Sequence, residues 1–146
     1  PMSARRQRQM CIRDRTYLWQ AVANYVLERK IDILFGVASF HGTDVSELAE
    51  PLSLLHYQYL AEESLRPVAK KPFNQKMNLL KPDEIDRKLA VLKMPALIKS
   101  YLRLGGKVGL DAYVDHQFNT TDVCLVMDTS LISNKKKSFF VQGDLK

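Results

Sequence analysis

The segment Asp115-His116-Gln117-Phe118-Asn119-Thr120-Thr121-Asp122-Val123 places two carboxylates, an imidazole and a run of neutral hydrogen-bonding side chains in close succession. An ordinary surface turn needs only Gly, Pro or a single Asn. Carboxylates attract cations, and an imidazole with an intrinsic pKa near 6.5 exchanges protons around neutrality. The competing reading is that the segment caps the strand after it and satisfies its own backbone. Ser39 and His41 form a second cluster, at the C-terminal end of an apolar run, where open α/β sheets place ligands. Two residues apart on a strand they share a face without having to touch. The sequence therefore favours a turn-stabilising role for them over a nucleophile and base. His56 lies beside a leucine stripe and reads as a helix-surface or satisfied interior histidine. His41, His56 and His116 have neither i, i+4 pairing nor a neighbouring Cys, so no metal site is expected. Cys11 and Cys124 give weak support to a disulfide, and Cys124 reads as a buried strand thiol.

The elements that must carry these residues can be read from periodicity. Thr16 to Arg29 repeats apolar residues at helical spacing. Ile31 to Phe40 is nearly continuous in apolar residues, which suits a strand buried on both faces in a parallel sheet, with Gly36 marking a close approach or a bulge. Asp44-Val45-Ser46-Glu47 has capping-box spacing for a second helix with the stripe Leu48, Leu52, Leu55 and Tyr59. Pro51 predicts a kink or restart within it. Residues 61–82 read as an irregular, lysine-bearing loop long enough to cover a pocket. Asp83 is the expected cap of a third helix through Ile85, Leu89 and Leu92. Pro95 opens a fourth that carries Leu97, Ile98, Tyr101 and Leu102 and stops at Gly105-Gly106. A short extended piece at Tyr113-Val114 and a buried strand from Val123 to Met127 complete an α/β pattern of two or three strands and four helices. Two such strands need partners, so the pattern reads as half of a larger α/β domain.

Composition narrows the function classes. The chain has 146 residues, 46% of them hydrophobic, enough for one domain with a sizeable core. No apolar run reaches the roughly 18 residues that a membrane span requires, and no signal-peptide pattern is present. The formal charge is +6, but residues 1–15 hold Arg5, Arg6, Arg8, Arg13 and Arg15 against Asp14 alone, leaving +2 for the rest. No Lys/Arg stripe there alternates with aromatics, so a nucleic-acid binder is not expected. Lys135-Lys136-Lys137 reads as a solvated turn. Residues 1–15 are polar and unpatterned, and Met10-Cys11-Ile12-Arg13-Asp14-Arg15 resembles a translated sequencing-adapter fragment. The expected organisation is thus a non-native or disordered basic segment at 1–15, part of one domain at 16–142, and a tail at 143–146.

Several blocks carry a resemblance when taken in order. They are Leu18-Trp19-Gln20-Ala21-Val22-Ala23-Asn24-Tyr25-Val26, Leu34-Phe35-Gly36-Val37-Ala38-Ser39-Phe40-His41-Gly42-Thr43-Asp44, Leu55-His56-Tyr57-Gln58-Tyr59-Leu60, Pro95 to Gly105, and Phe118-Asn119-Thr120-Thr121-Asp122-Val123. Together they resemble the bacterial L-ornithine Nα-acyltransferases, GNAT-like enzymes whose relatives are sometimes labelled hemolysin-like. The resemblance spans roughly residues 16–142 and implies the C-terminal half of a GNAT-like α/β fold. It implies transfer of an often 3-hydroxylated acyl group from acyl carrier protein to the α-amine of ornithine, giving lyso-ornithine lipid. The donor is then acyl-phosphopantetheine on its carrier, with no separate cofactor. In such folds the pantetheine arm lies between two splayed strands, and Ile31–Phe40 is the expected second wall. The first wall is expected where residues 1–15 stand, so the chain alone is expected to be inactive.

Individual residues can be weighed against the reaction that the resemblance implies. Asp122 is the first candidate to hold an ammonium and Asp115 the second, with Asn119, Thr120 and Thr121 supplying neutral hydrogen bonds. His116 is the candidate for proton transfer, and Ser39 and Phe40 line the substrate. Arg103, Lys70 and Lys71 are the candidate docking surface for an acidic carrier, Arg103 being equally suited to a phosphate, and the competing reading of the lysines is a solvated basic loop. A cytoplasmic setting is expected, and the amphiphilic product is compatible with peripheral membrane contact. The alternatives are a GNAT-like binding module without chemistry and an N-acyltransferase for another amino acid.

Overall fold

The computed structural model describes residues 17–131. The basic N-terminal segment, Cys11, Lys135-Lys136-Lys137 and the tail at 143–146 lie outside the described residues.

The chain divides at Ile33 and Asp128 into two units. In the first, residues 17–29 form helix α1 as their periodicity predicts. It ends in a Schellman motif. Lys30 takes the left-handed conformation at φ 52°, its N–H donates to Leu27 O, and Ile31 N–H donates to Val26 O. Residues 129–131 form a 3₁₀ turn in the same unit. Thr129 anchors it, donating its N–H to Asp32 O and its hydroxyl to Ile31 O.

The second unit, Ile33–Asp128, contains five strands and three helices. Strand β1 is Ile33–His41, β2 Asn74–Gln75, β3 Lys107–Val108, β4 Ala112–Asp115 and β5 Thr120–Asp128. Helices α2 (Ala49–Tyr59), α3 (Arg87–Lys93) and α4 (Ala96–Arg103) cover one face. The sheet runs β1-β5-β4-β2, with β3 also paired to β5. All of these ladders are antiparallel, not parallel as the apolar run in β1 suggested. Two of the five strands are two residues long, below the length at which alternation is legible.

The β1–β5 ladder is unbroken from Ile33↔Asp128 to His41↔Thr120. Alternation along it sorts side chains onto two faces. Ala38 and Phe40 of β1, with Val123 and Leu125 from the same face of β5, enter the core beside Leu52, Leu55, Met77, Ile98 and Val108. Each fully buried Phe, Leu or Ile here contributes roughly 1.5–3 kcal/mol. The second face is open at β1, where Phe35 is 80% and Val37 66% exposed. The expectation of a strand buried on both faces is therefore corrected. Gly36 marks neither a bulge nor a close approach, for the register passes through it and a Cβ there meets nothing within 4 Å. β1 ends the strand order, and among the described residues no strand pairs its outer edge.

The helices follow their apolar spacing more closely than their expected caps. Asp44 accepts from Ser46 N–H and Ser46 Oγ, closing a local turn, and α2 begins only at Ala49. The capping-box reading is thus displaced. Pro51 then falls in the first turn of α2, where its missing N–H has no intrahelical acceptor to lose, and the helix needs no restart. Asp86, rather than Asp83, caps α3, accepting from Lys88 and Leu89 N–H. Helix α4 opens after Pro95 and closes at Gly105, φ +98°, as expected. Among the described residues no helix is long and apolar enough to cross a membrane.

The segment expected as a free loop at 61–82 is stitched to the sheet. Leu60 and Val68 make parallel bridges to Val108 and Leu110, and β2 pairs with β4. Gly109 lies under this crossing. A Cβ there would stand 2.6 Å from Pro67 O, the acceptor of Leu110 N–H. Deeper in the unit, Ser53 is fully buried, donating to Met77 O and accepting from Leu80 N–H. Ser53→Ala strands both groups and should cost about 1–3 kcal/mol. Chemical denaturation should show this loss, and hydrogen exchange should show a selective loss of protection at Leu80; an unchanged midpoint would contradict the clamp.

Candidate functional site

The acid-rich segment is a β-hairpin. Asp115 closes β4, residues 116–119 turn, and Thr120-Thr121-Asp122 already belong to β5 rather than to a loop before it. Two features make the turn. Asp115 Oδ1 accepts from both Gln117 and Phe118 N–H, an Asx-type closure, and Asn119 supplies the left-handed residue at φ 53°. Asn119 O also accepts from Gly42 N–H, tying the hairpin to the end of β1. Part of the polarity read as a site therefore builds the turn itself.

Register then divides the predicted residues between two faces. Ser39 pairs with Asp122, which pairs on its other side with Tyr113, so the three stand in one cross-strand row. The next row is His41, Thr120 and Asp115. Phe40 and Thr121 occupy the intervening positions and point the opposite way. Phe40 is 1% exposed in the core, and Thr121 is fully buried with its hydroxyl donating to Gly42 O. The structure thus brings Ser39, Asp115, Thr120 and Asp122 onto one face and sets Phe40 and Thr121 behind it. His116 is exposed in the turn, and its ring meets Phe73 edge-on at 5.8 Å.

Asp122 stands apart electrostatically. Its Oδ1 is buried and has no hydrogen-bond partner among the described residues. A carboxylate oxygen removed from water without a donor is costly, and a cationic ligand group would relieve it. His56 Nδ1 is similarly buried and unpartnered, so the expectation that this histidine is satisfied is not met at that atom. Cys124 follows Asp122 on the same face, opposite Val37. It is half-buried rather than buried, and desolvation raises its thiol pKa above the ordinary 9.0.

Lys70 and Lys71 are exposed in the turn before Phe73, while Arg103 is exposed at the C-terminal end of α4. Sequence reasoning passed over Tyr113 and Phe73. Tyr113 read only as part of a strand and Phe73 as part of a loop, and neither shows its proximity to Asp122 without the register.

The sequence that builds this sheet and hairpin is similar to proteins named as acyltransferases. Over 125 residues the chain is 54% identical to a protein of Rhodobacter capsulatus, covering 86% of this chain and 48% of that protein. It is 37% identical over 123 residues to proteins of Brucella abortus and Agrobacterium fabrum, covering 84% of this chain and 44% and 42% of theirs. All three are named L-ornithine Nα-acyltransferase, so the resemblance read from the sequence holds. The chain spans about half the length of the curated relatives it matches. No family model matches it, and neither does any solved structure. The mixed α/β unit is consistent with part of a GNAT-like fold.

The Cys124 thiol gives a measurable consequence. Burial favours its neutral form, so on raising the pH the unfolded chain ionises first. Its contribution to stability is present below about pH 9 and is lost as pH rises through 9.0 toward the higher folded value. In a Cys11→Ser chain at pH 8, iodoacetamide should alkylate Cys124 more slowly than in the same chain unfolded in urea. Equal rates would remove the desolvation.

Proposed function

We propose that this chain forms part of an N-acyltransferase that moves a (3-hydroxy)acyl group from acyl carrier protein to the α-amine of L-ornithine, giving lyso-ornithine lipid. The 54% identity to the Rhodobacter capsulatus L-ornithine Nα-acyltransferase carries the reading. Asp122 gives it a physical foothold.

The reaction sets two different demands on ornithine's nitrogens. The attacking α-nitrogen must first lose a proton, since only its lone pair can form the new bond to the thioester carbon. The C–S bond then breaks, and the departing thiolate takes up a proton. The side-chain nitrogen stays an ammonium throughout. A carboxylate that stabilises charge suits the second nitrogen and would hinder the first, so Asp122 holds the side-chain ammonium. His116 accepts the α-ammonium proton. The two residues stand in different parts of the hairpin, and no hydrogen bond joins them among the described residues, as separate tasks require. Asp115 Oδ1 is engaged in the turn, so its part is to fix the position of His116. Lys70 and Lys71 offer an acidic carrier a complementary field, with Arg103 as a further contact.

The test replaces the stretch of the Rhodobacter capsulatus protein that aligns with residues 17–131 of this chain by those residues. Incubation with acyl carrier protein thioester and L-ornithine should yield acyl-ornithine by mass spectrometry. Asp122→Asn should raise the KM for ornithine at least tenfold, and His116→Gln should lower kcat by 10²–10⁴-fold, the range of general base catalysis. A folded chimera that binds the carrier yet forms no acyl-ornithine would instead mark a binding module.

A further inference from the structure

The side of Asp122 away from β1 is aromatic. Tyr113 is its cross-strand neighbour on β4, so the two side chains stand abreast on one face. Phe73 meets the Tyr113 ring at 5.9 Å and 78°, and the His116 ring at 5.8 Å and 72°. Both are edge-to-face contacts, the arrangement that aromatic quadrupoles prefer. The backbone fixes this placement, since Val114 N–H donates to Phe73 O and Asn74 pairs with Tyr113. Three rings from three segments thus stand along the strip of sheet that carries a buried carboxylate oxygen without a donor.

We infer that Asp122 and Tyr113 together form a seat for a primary alkylammonium, with Phe73 holding the tyrosine ring in place. The carboxylate takes the charge, and the ring lies against the methylene stem and the cation, an arrangement in which an aromatic face attracts an ammonium. This rests on the acyltransferase reading and deepens it, making Tyr113 a determinant of acceptor specificity. An acceptor whose side chain ends in a neutral group of similar length leaves the carboxylate's charge uncompensated and binds more weakly for that reason. Phe73 is a positioning residue and need not touch the ligand.

The test follows backbone amide shifts of the 146-residue chain during titration with L-ornithine, n-butylammonium and L-citrulline, the neutral comparator. L-ornithine and butylammonium should both perturb the Tyr113 and Asp122 amides, with citrulline at least tenfold weaker. Tyr113→Leu should weaken ornithine binding about two- to fivefold, the range of a cation–aromatic contact, while Tyr113→Phe retains it. Asp122→Asn should abolish the ornithine response. Dispersed spectra establish that each variant is folded. Loss of binding in Asp122→Asn with none in Tyr113→Leu overturns the aromatic seat but leaves the carboxylate's role intact. Binding unaffected by Asp122→Asn, or no response to ornithine in the native chain, overturns both. Citrulline binding as tightly as ornithine overturns the charge selectivity on which the seat depends.

Discussion

The nine-residue antiparallel ladder between β1 and β5 is the constraint on which the rest of the larger unit depends. It joins segments about eighty to a hundred residues apart in sequence, so everything between them is folded back within a closed loop. Loop closure of that length opposes folding, but its cost grows only slowly with length. The ladder offsets it with a continuous run of backbone pairs and with the apolar row Ala38, Phe40, Val123 and Leu125, on which α2 and α4 pack. A slip of β5 by one residue would exchange that strand's two faces, driving Asp122 into the core and Val123 into water. The fixed register that builds the core also determines which polar residues meet.

That sorting gives the hairpin a division of labour. Asp115, Asn119 and Thr121 spend their hydrogen bonds on the turn and on the end of β1. Asp122 does not, and its oxygen is left without a donor between a serine and a tyrosine. A structural carboxylate would be expected to find an N–H, as Asp86 does at the start of α3. The contrast between these two aspartates, one satisfied by a helix end and one with a buried oxygen that no donor meets, directs attention to Asp122 as a ligand group.

Much of this was legible in the sequence, and the failures have physical causes. Helix existence followed from apolar spacing, and Pro95 and Gly105 marked the ends of α4 correctly. Caps were less legible because several aspartates compete. Asp44 closes a turn on Ser46, and Asp86 outcompetes Asp83 by standing next to the helix. The parallel reading of β1 failed because an antiparallel strand with Phe35 and Val37 exposed reads like one covered on both sides. Among candidate site residues, the nine-residue cluster was visible from composition, but its partition was not. Whether Thr121 or Asp122 faces outward depends on pairing parity with β1, which local sequence does not encode. Phe73 was beyond reach for the same reason, its neighbours being forty residues away.

Gly109 shows how far such placement extends. The backbone of Pro67 passes so close above it that any substituent larger than hydrogen must push the crossing segment away. That segment runs on through Val68, bridged to Leu110, to the turn bearing Lys70 and Lys71 and then to Phe73. A methyl group at position 109 would therefore act as a wedge at the base of a cantilever. The collision is with Pro67, but its effect would emerge further along the chain, at the ring that meets Tyr113 edge-on.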